Sequence, residues 1–274
     1  IRMKGNSSPE KVSLLTHPPL ASMTLVDHLW ELRRRLIVTL AAFFVAFGGV
    51  YPFSEELFIF LVKPLAHIVS SHNHRLIYTG LTEAFLTYIK VSLLGAFVLV
   101  TPVFLSQIWF FIAPGLYRQE RKIFIIFLLT APLLFLAGAS LAYGVVCPLA
   151  WKFFLSFETP SVAGSLPIHL EARVSEYLSL VTKLILSFGL SFQLPIVLLL
   201  LGRAGFLKGE KLKAQRKYAF LAIVVVAALV TPPDFLSPLS LIVPIYGLYE
   251  LSVAFMCFQE KKGSPSNRAF HSES

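Results

Sequence analysis

Six apolar runs, separated by gaps whose charge alternates in sign, constrain this chain more than any other feature. The runs are Leu36 to about Phe53, about Phe85 to Ile112, Ile123 to about Trp151, Tyr177 to Leu201, Tyr218 to about Val230, and about Phe235 to Phe258. A helix needs about 20 apolar residues to cross a hydrocarbon core of about 30 Å. The segment before the first run carries Arg2, Lys4, Lys11 and Arg33 to Arg35. The next gap holds Glu55, Glu56 and Glu83 against Lys63 and Arg75, and the one after it Arg118, Arg121 and Lys122 against Glu120. Then come Glu158, Glu171 and Glu176 against Lys152 and Arg173, six Lys and Arg between 203 and 217 against Glu210, and finally Asp234 alone. Lys and Arg accumulate on the cytoplasmic side of membrane proteins. The pattern therefore predicts an all-α, polytopic membrane protein with six transmembrane helices and both termini cytoplasmic.

Composition agrees. Of the 274 residues, 56% are hydrophobic and 14% charged, against about 25% charged in a soluble domain. Too few charges remain to cover a water-facing surface. The net charge of +9 would point to nucleic acid in a soluble protein; here the cytoplasmic gaps explain it, and no nucleic-acid partner is expected. The expected organisation is a cytoplasmic segment over 1–27, a six-helix membrane domain over 28–258 and a polar cytoplasmic tail over 259–274. The first 30 residues are polar and lack the apolar core of a cleavable signal peptide.

Two features predict a curved wall of helices rather than a straight bundle. Pro102, Pro132, Pro195 and Pro244 fall inside the second, third, fourth and sixth runs. A proline cannot donate to the carbonyl one turn earlier, and it bends the helix there. The fifth run, about 13 residues at 1.5 Å each, covers only about 20 Å. Residues 53–69, FSEELFIFLVKPLAHIV, read as an amphipathic helix lying at the far interface.

The polar residues inside this apolar chain need reasons. Glu31 sits in HLWELRRRL, where the simplest role is an i,i+4 ion pair with Arg35. The functional alternative is an acceptor for a cationic ligand, since a carboxylate takes an arginine fork on two oxygens. Glu120, in APGLYRQERK, poses the same choice in the next cytoplasmic gap. Together they would suit a doubly cationic ligand. Gln193 and Glu250 each lie about eight residues from the cytoplasmic ends of parallel spans, at similar depth, and are expected to be neighbours or to share a hydrated pocket. Lys183 is expected to snorkel to the far interface. There is no Gly-x-Ser-x-Gly elbow, paired aspartate, His-Glu-x-x-His or phosphate loop. Neither catalysis, nor a metal, nor a cofactor is expected.

Four blocks, in order and spacing, resemble the TatC proteins, the multispanning core of the twin-arginine protein translocase. They are HLWELRRRL at 28–36, QIWFFIAPGLYRQERK at 107–122, FGLSFQLPIVLLLL at 188–201 and LVTPPDFLSPLSLIVPIYGLYE at 229–250. The resemblance covers roughly residues 24–258. It implies a concave six-helix shape and a receptor for the paired arginines of signal peptides on folded cargo. Glu31 and Glu120 match the glutamates that bind those arginines, and Arg33, Phe111, Pro114, Leu116 and Arg121 match their surroundings. Pro64 and Asp234 match two further positions on which the family depends. Gln193 is a departure, because the family often has glutamate there, and Glu250 is then the remaining intramembrane carboxylate.

The resemblance further implies single-span partners of the TatA and TatB type, homo-oligomers within a larger complex, and transport driven by the proton-motive force. The setting it implies is a bacterial inner membrane, or an organelle membrane of bacterial origin. The alternative that the residues alone allow is an ion-coupled small-molecule carrier built on Gln193, Glu250 and Lys183.

Overall fold

The computed structural model describes residues 25–69, 76–112, 121–158, 171–203, 206–230 and 236–263. Ten helices carry these residues: α1 Leu25–Val50, α2 Ser54–Val69, α3 Glu83–Ile112, α4 Arg121–Leu141, α5 Cys147–Leu155, α6 Val174–Ser191, α7 Leu194–Arg203, α8 Gly209–Ala214, α9 Arg216–Val230 and α10 Leu236–Gly263. The only pairing outside helices among the described residues is one parallel bridge, Ile77 to Arg173.

The apolar runs appear as helices, with informative differences at their ends. The first helix starts eleven residues before its apolar run, at Leu25 rather than Leu36, so HLWELRRRL is helical. A 3-10 turn at Tyr51–Phe53 containing Pro52 then joins the first helix to α2. Glu55 and Glu56 occupy the first turn of α2, where carboxylates favour the positive end of the helix dipole. The third run is broken by a π turn, Ala142–Val146, in which the Cys147 amide donates to the Ala142 carbonyl. Pro148 supplies the reason: it cannot donate to Gly144, and the wider π spacing accommodates the missing bond.

The fourth run is two helices rather than one. α6 stops at Ser191 and α7 begins at Leu194, with Phe192 and Gln193 forming the turn just before Pro195. The fifth, α9, has 15 residues, about 22 Å of rise. The last helix continues through Gly263, so the start of the expected polar tail, at 259–263, is helical. Among the described residues, five helical stretches are long and apolar enough to cross a membrane: His28–Ala66, Glu83–Ile108, Ile126–Leu155, Val174–Arg203 and Pro238–Glu260. This is a multi-pass, all-α membrane protein.

α1 packs along α3, α4 along α6, and α10 against α7, α8 and α9. Between α4 and α6 the backbones approach closely. A Cβ built on Gly138 would lie 2.5 Å from the Phe188 carbonyl oxygen, and one on Gly189 would lie 2.5 Å from the Phe135 ring. Small residues permit such approach where hydrophobic driving force between helices is absent. Phe135, Leu184 and Phe188 are buried on these two helices.

At the far end, α3 and α6 are pinned side by side. The Glu83 carboxylate accepts from the Thr79 amide at 2.7 Å and from the Ser175 amide at 3.0 Å. α2 is tied down at its proline. Pro64 leaves the Phe60 carbonyl without its helical donor, and the Tyr143 hydroxyl donates to that oxygen at 2.6 Å. The Tyr177 hydroxyl donates to the adjacent Leu61 carbonyl at 2.5 Å.

Candidate functional site

The first turns of α1 and the last turns of α3 form one corner. His28 stacks on Phe111, ring centres 4.2 Å apart, which fixes the two helices at this end. Two turns further along α1, Arg35 donates to Glu31 Oε1 from Nε at 3.1 Å and also from Nη2. This is the i,i+4 pair expected from the sequence. Its third nitrogen, Nη1, faces Gln107 Oε1 of α3 at 3.5 Å, and its guanidinium lies 5.6 Å from the centre of the Phe110 ring.

The pair is unevenly made. Both Arg35 donors converge on Oε1, while Glu31 Oε2 is buried and accepts no hydrogen bond among the described residues. An unsatisfied buried acceptor costs about 1–3 kcal/mol. A single external donor could remove that cost, and a guanidinium could do so while also reaching Oε1.

Arg33 does not join this corner. Two positions on from Glu31, it falls on the opposite side of α1, with its guanidinium 5.2 Å from the Trp30 ring centre. Arg121 opens α4. Glu120, Pro114, Leu116 and Asp234 lie outside the described residues. Sequence reasoning missed Gln107 and Phe110 as the α3 side of the corner. Both fall in the QIWFF block, but nothing in their types marks them as arginine partners.

The intramembrane polar residues engage separate elements. Gln193 Nε2 donates to the Ala131 carbonyl of α4 at 2.9 Å, beside Pro132. Glu250 accepts from Arg216 Nη2 of α9 at 2.6 Å and from the Tyr246 hydroxyl at 3.0 Å. Each side chain thus finds its hydrogen-bond partner on a different helix, and no hydrogen bond between the two is formed among the described residues. Pro64 is positioned by the tyrosine contacts described above. Lys183 is exposed on α6.

A concavity of about 1020 Å³ opens between α1, α2, α3 and α4. Its wall is almost wholly apolar, including Val45, Leu57, Leu94, Val98 and Leu136, with Glu56 as its one charged lining residue. The structure thus combines a polar corner at a helix end with an apolar groove in the wall of a multi-pass membrane protein.

Comparison with known proteins agrees with that class. Residues 27–244 match the family model described as Sec-independent protein translocase protein (TatC). The chain is 43% identical over 234 residues to the TatC of Rickettsia prowazekii, covering 85% of this chain and 92% of that one. To the TatC of Magnetococcus marinus it is 44% identical over 245 residues, covering 89% and 88%. A crystal structure of the twin arginine translocase receptor TatC in the detergent DDM superposes with a TM-score of 0.72, at 37% identity, over 84% of this chain and 99% of the other. The chain belongs to the TatC family, whose members are protein-translocase subunits rather than enzymes.

Proposed function

We propose that this chain is the core subunit and signal-peptide receptor of a twin-arginine translocase, with Glu31 as the acceptor for one signal arginine. The observation that carries the reading is Glu31 Oε2, a covered carboxylate oxygen with no donor among the described residues. Glu120, one residue before α4 begins, is the second acceptor. The apolar segment that follows the arginines enters the groove between α1 and α4, whose lining offers it almost no polar competition. Phe111 holds the corner through His28. Pro114, Leu116, Arg33 and Arg121 complete the cytoplasmic surround, and Asp234 and Pro64 act on the far side.

Charge alternation supports six spans, with α9 as the short fifth, and both termini in the cytoplasm. A span of about 22 Å is relieved by local thinning of the bilayer, which favours passage of cargo near α9. In this reading TatA- and TatB-type single-span proteins bind the membrane-facing sides, several copies assemble, and the proton-motive force supplies the energy. The membrane is a bacterial inner membrane or an organelle membrane descended from one. A carrier built on Gln193 and Glu250 has less support, since both side chains are already engaged in contacts between helices.

Crosslinking in membranes tests the receptor reading. A signal peptide bearing Arg-Arg should crosslink to the corner, and Lys-Lys, Glu31→Ala or Glu120→Ala should each reduce the yield. Crosslinks indifferent to all three changes would overturn it.

A further inference from the structure

The resting site already holds an arginine of its own. Arg35 places two donors on Oε1 of Glu31 and none on Oε2. Arg35 and Glu31 side chains are about one-fifth exposed, at 20% and 21%, so the charges meet in a partly desolvated setting. Arg35 also has a second berth. Gln107 Oε1 lies 3.5 Å from Nη1, and the Phe110 ring lies beneath the guanidinium. Both belong to α3, so Arg35 can lean towards α3 without leaving the corner.

From this geometry, and resting on the reading of Glu31 as receptor, we propose that Arg35 is a specificity-determining residue that makes the site reject single-point cations. A ligand guanidinium can bond Oε2 and fork to Oε1, displacing one Arg35 donor while Gln107 and Phe110 retain the rest of the side chain. A lysine ammonium is a point charge without a fork. It reaches Oε2 but cannot compete for Oε1, and it meets the Arg35 charge at close range. Both ligands meet the Arg35 charge, but the guanidinium offsets that repulsion with two forked hydrogen bonds and the ammonium with one, so the repulsion counts against lysine. Gln107 is the positioning residue that lets Arg35 yield.

The test is equilibrium binding to the full chain in lipid nanodiscs. The probes are two fluorescent synthetic peptides, identical except for Arg-Arg or Lys-Lys ahead of an apolar segment. The wild type should favour Arg-Arg. Arg35→Gln should tighten Lys-Lys binding and shrink the preference by about tenfold, the scale on which one lost charge contact alters discrimination. Gln107→Leu should weaken Arg-Arg binding and leave Lys-Lys nearly unchanged.

Arg35→Lys keeps the charge but loses the fork, and should lie between wild type and Arg35→Gln; it carries the test if Arg35→Gln does not fold. Equal preference in wild type and folded Arg35 variants would overturn the proposal. A parallel Glu31→Gln arm separates the two readings. Binding lost in Glu31→Gln with preference unchanged in the Arg35 variants removes the role of Arg35 and leaves the receptor standing. Binding unaffected by Glu31→Gln removes both.

Discussion

The Tyr143 hydroxyl donates to the Phe60 carbonyl at 2.6 Å, and Phe60 is the residue that Pro64, four positions on, leaves without a helical donor. The two rings also stack, centres 4.6 Å apart. Proline in the middle of α2 is thus compensated from the π turn that follows α4. The prediction is a coupling rather than a single loss. Tyr143→Phe should destabilise by about 1 kcal/mol with Pro64 present. In a Pro64→Ala background, where the backbone donor returns, the same change should cost less than half of that. Thermal unfolding of the four proteins of the cycle measures it.

Glycines at the α4–α6 seam should be sharply unequal to the one in the π turn. Gly138→Ala puts a methyl 2.5 Å from a backbone oxygen of α6, and backbone cannot rotate away as a side chain does. The expected cost is about 1–3 kcal/mol. Gly189→Ala, facing the buried Phe135 ring, should cost a similar amount. Gly144→Ala meets nothing within 4 Å and should be neutral or stabilising by up to about 1 kcal/mol.

Gln193 acts in this structure as a strut between α7 and α4. Gln193→Leu removes the 2.9 Å bond to Ala131 and should lower stability by about 0.6–1.5 kcal/mol, the usual range for a side-chain hydrogen bond within a membrane. Gln193→Glu should be tolerated, because a protonated carboxyl still offers one O–H donor. Denaturant titration in detergent distinguishes the two variants.

Glu250 is a clamp between α9 and α10. Its partners are an arginine and a tyrosine, and the ion-pair side chains are 44% and 30% exposed. Such pairs contribute about 0–1 kcal/mol. Glu250→Gln retains an acceptor for both partners, so export by the variant should stay within about twofold of wild type. Loss of export with the fold intact would mark Glu250 as a proton-carrying group.

The all-α, multi-pass class and the rough placement of the apolar helices were legible because apolar runs of spanning length have few other fates in a bilayer. The breaks were only half legible. Four prolines were equally visible in the sequence, yet Pro102, Pro132 and Pro244 lie inside continuous helices while α6 ends just before Pro195. A proline's local chemistry is the same at all four positions, so what distinguishes a bend from a break lies in the surrounding packing and not in the residue type. The Glu31–Arg35 pair was visible because i,i+4 spacing is local. Its α3 partners, Gln107 and Phe110, lie 72 and 75 positions away from Arg35, and only packing brings them there. For the same reason Gln193 and Glu250, equal in depth along the sequence, find partners on different helices.

The most direct test of Glu31 as an arginine acceptor is a double-mutant cycle across the interface. Binding of a signal peptide is measured for wild type and Glu31→Gln, each with the arginine pair intact and with one arginine changed to glutamine. A desolvated carboxylate–guanidinium contact should give a coupling of about 1.5 kcal/mol or more. A coupling near zero, with both single changes additive, would contradict direct docking of a signal arginine on Glu31.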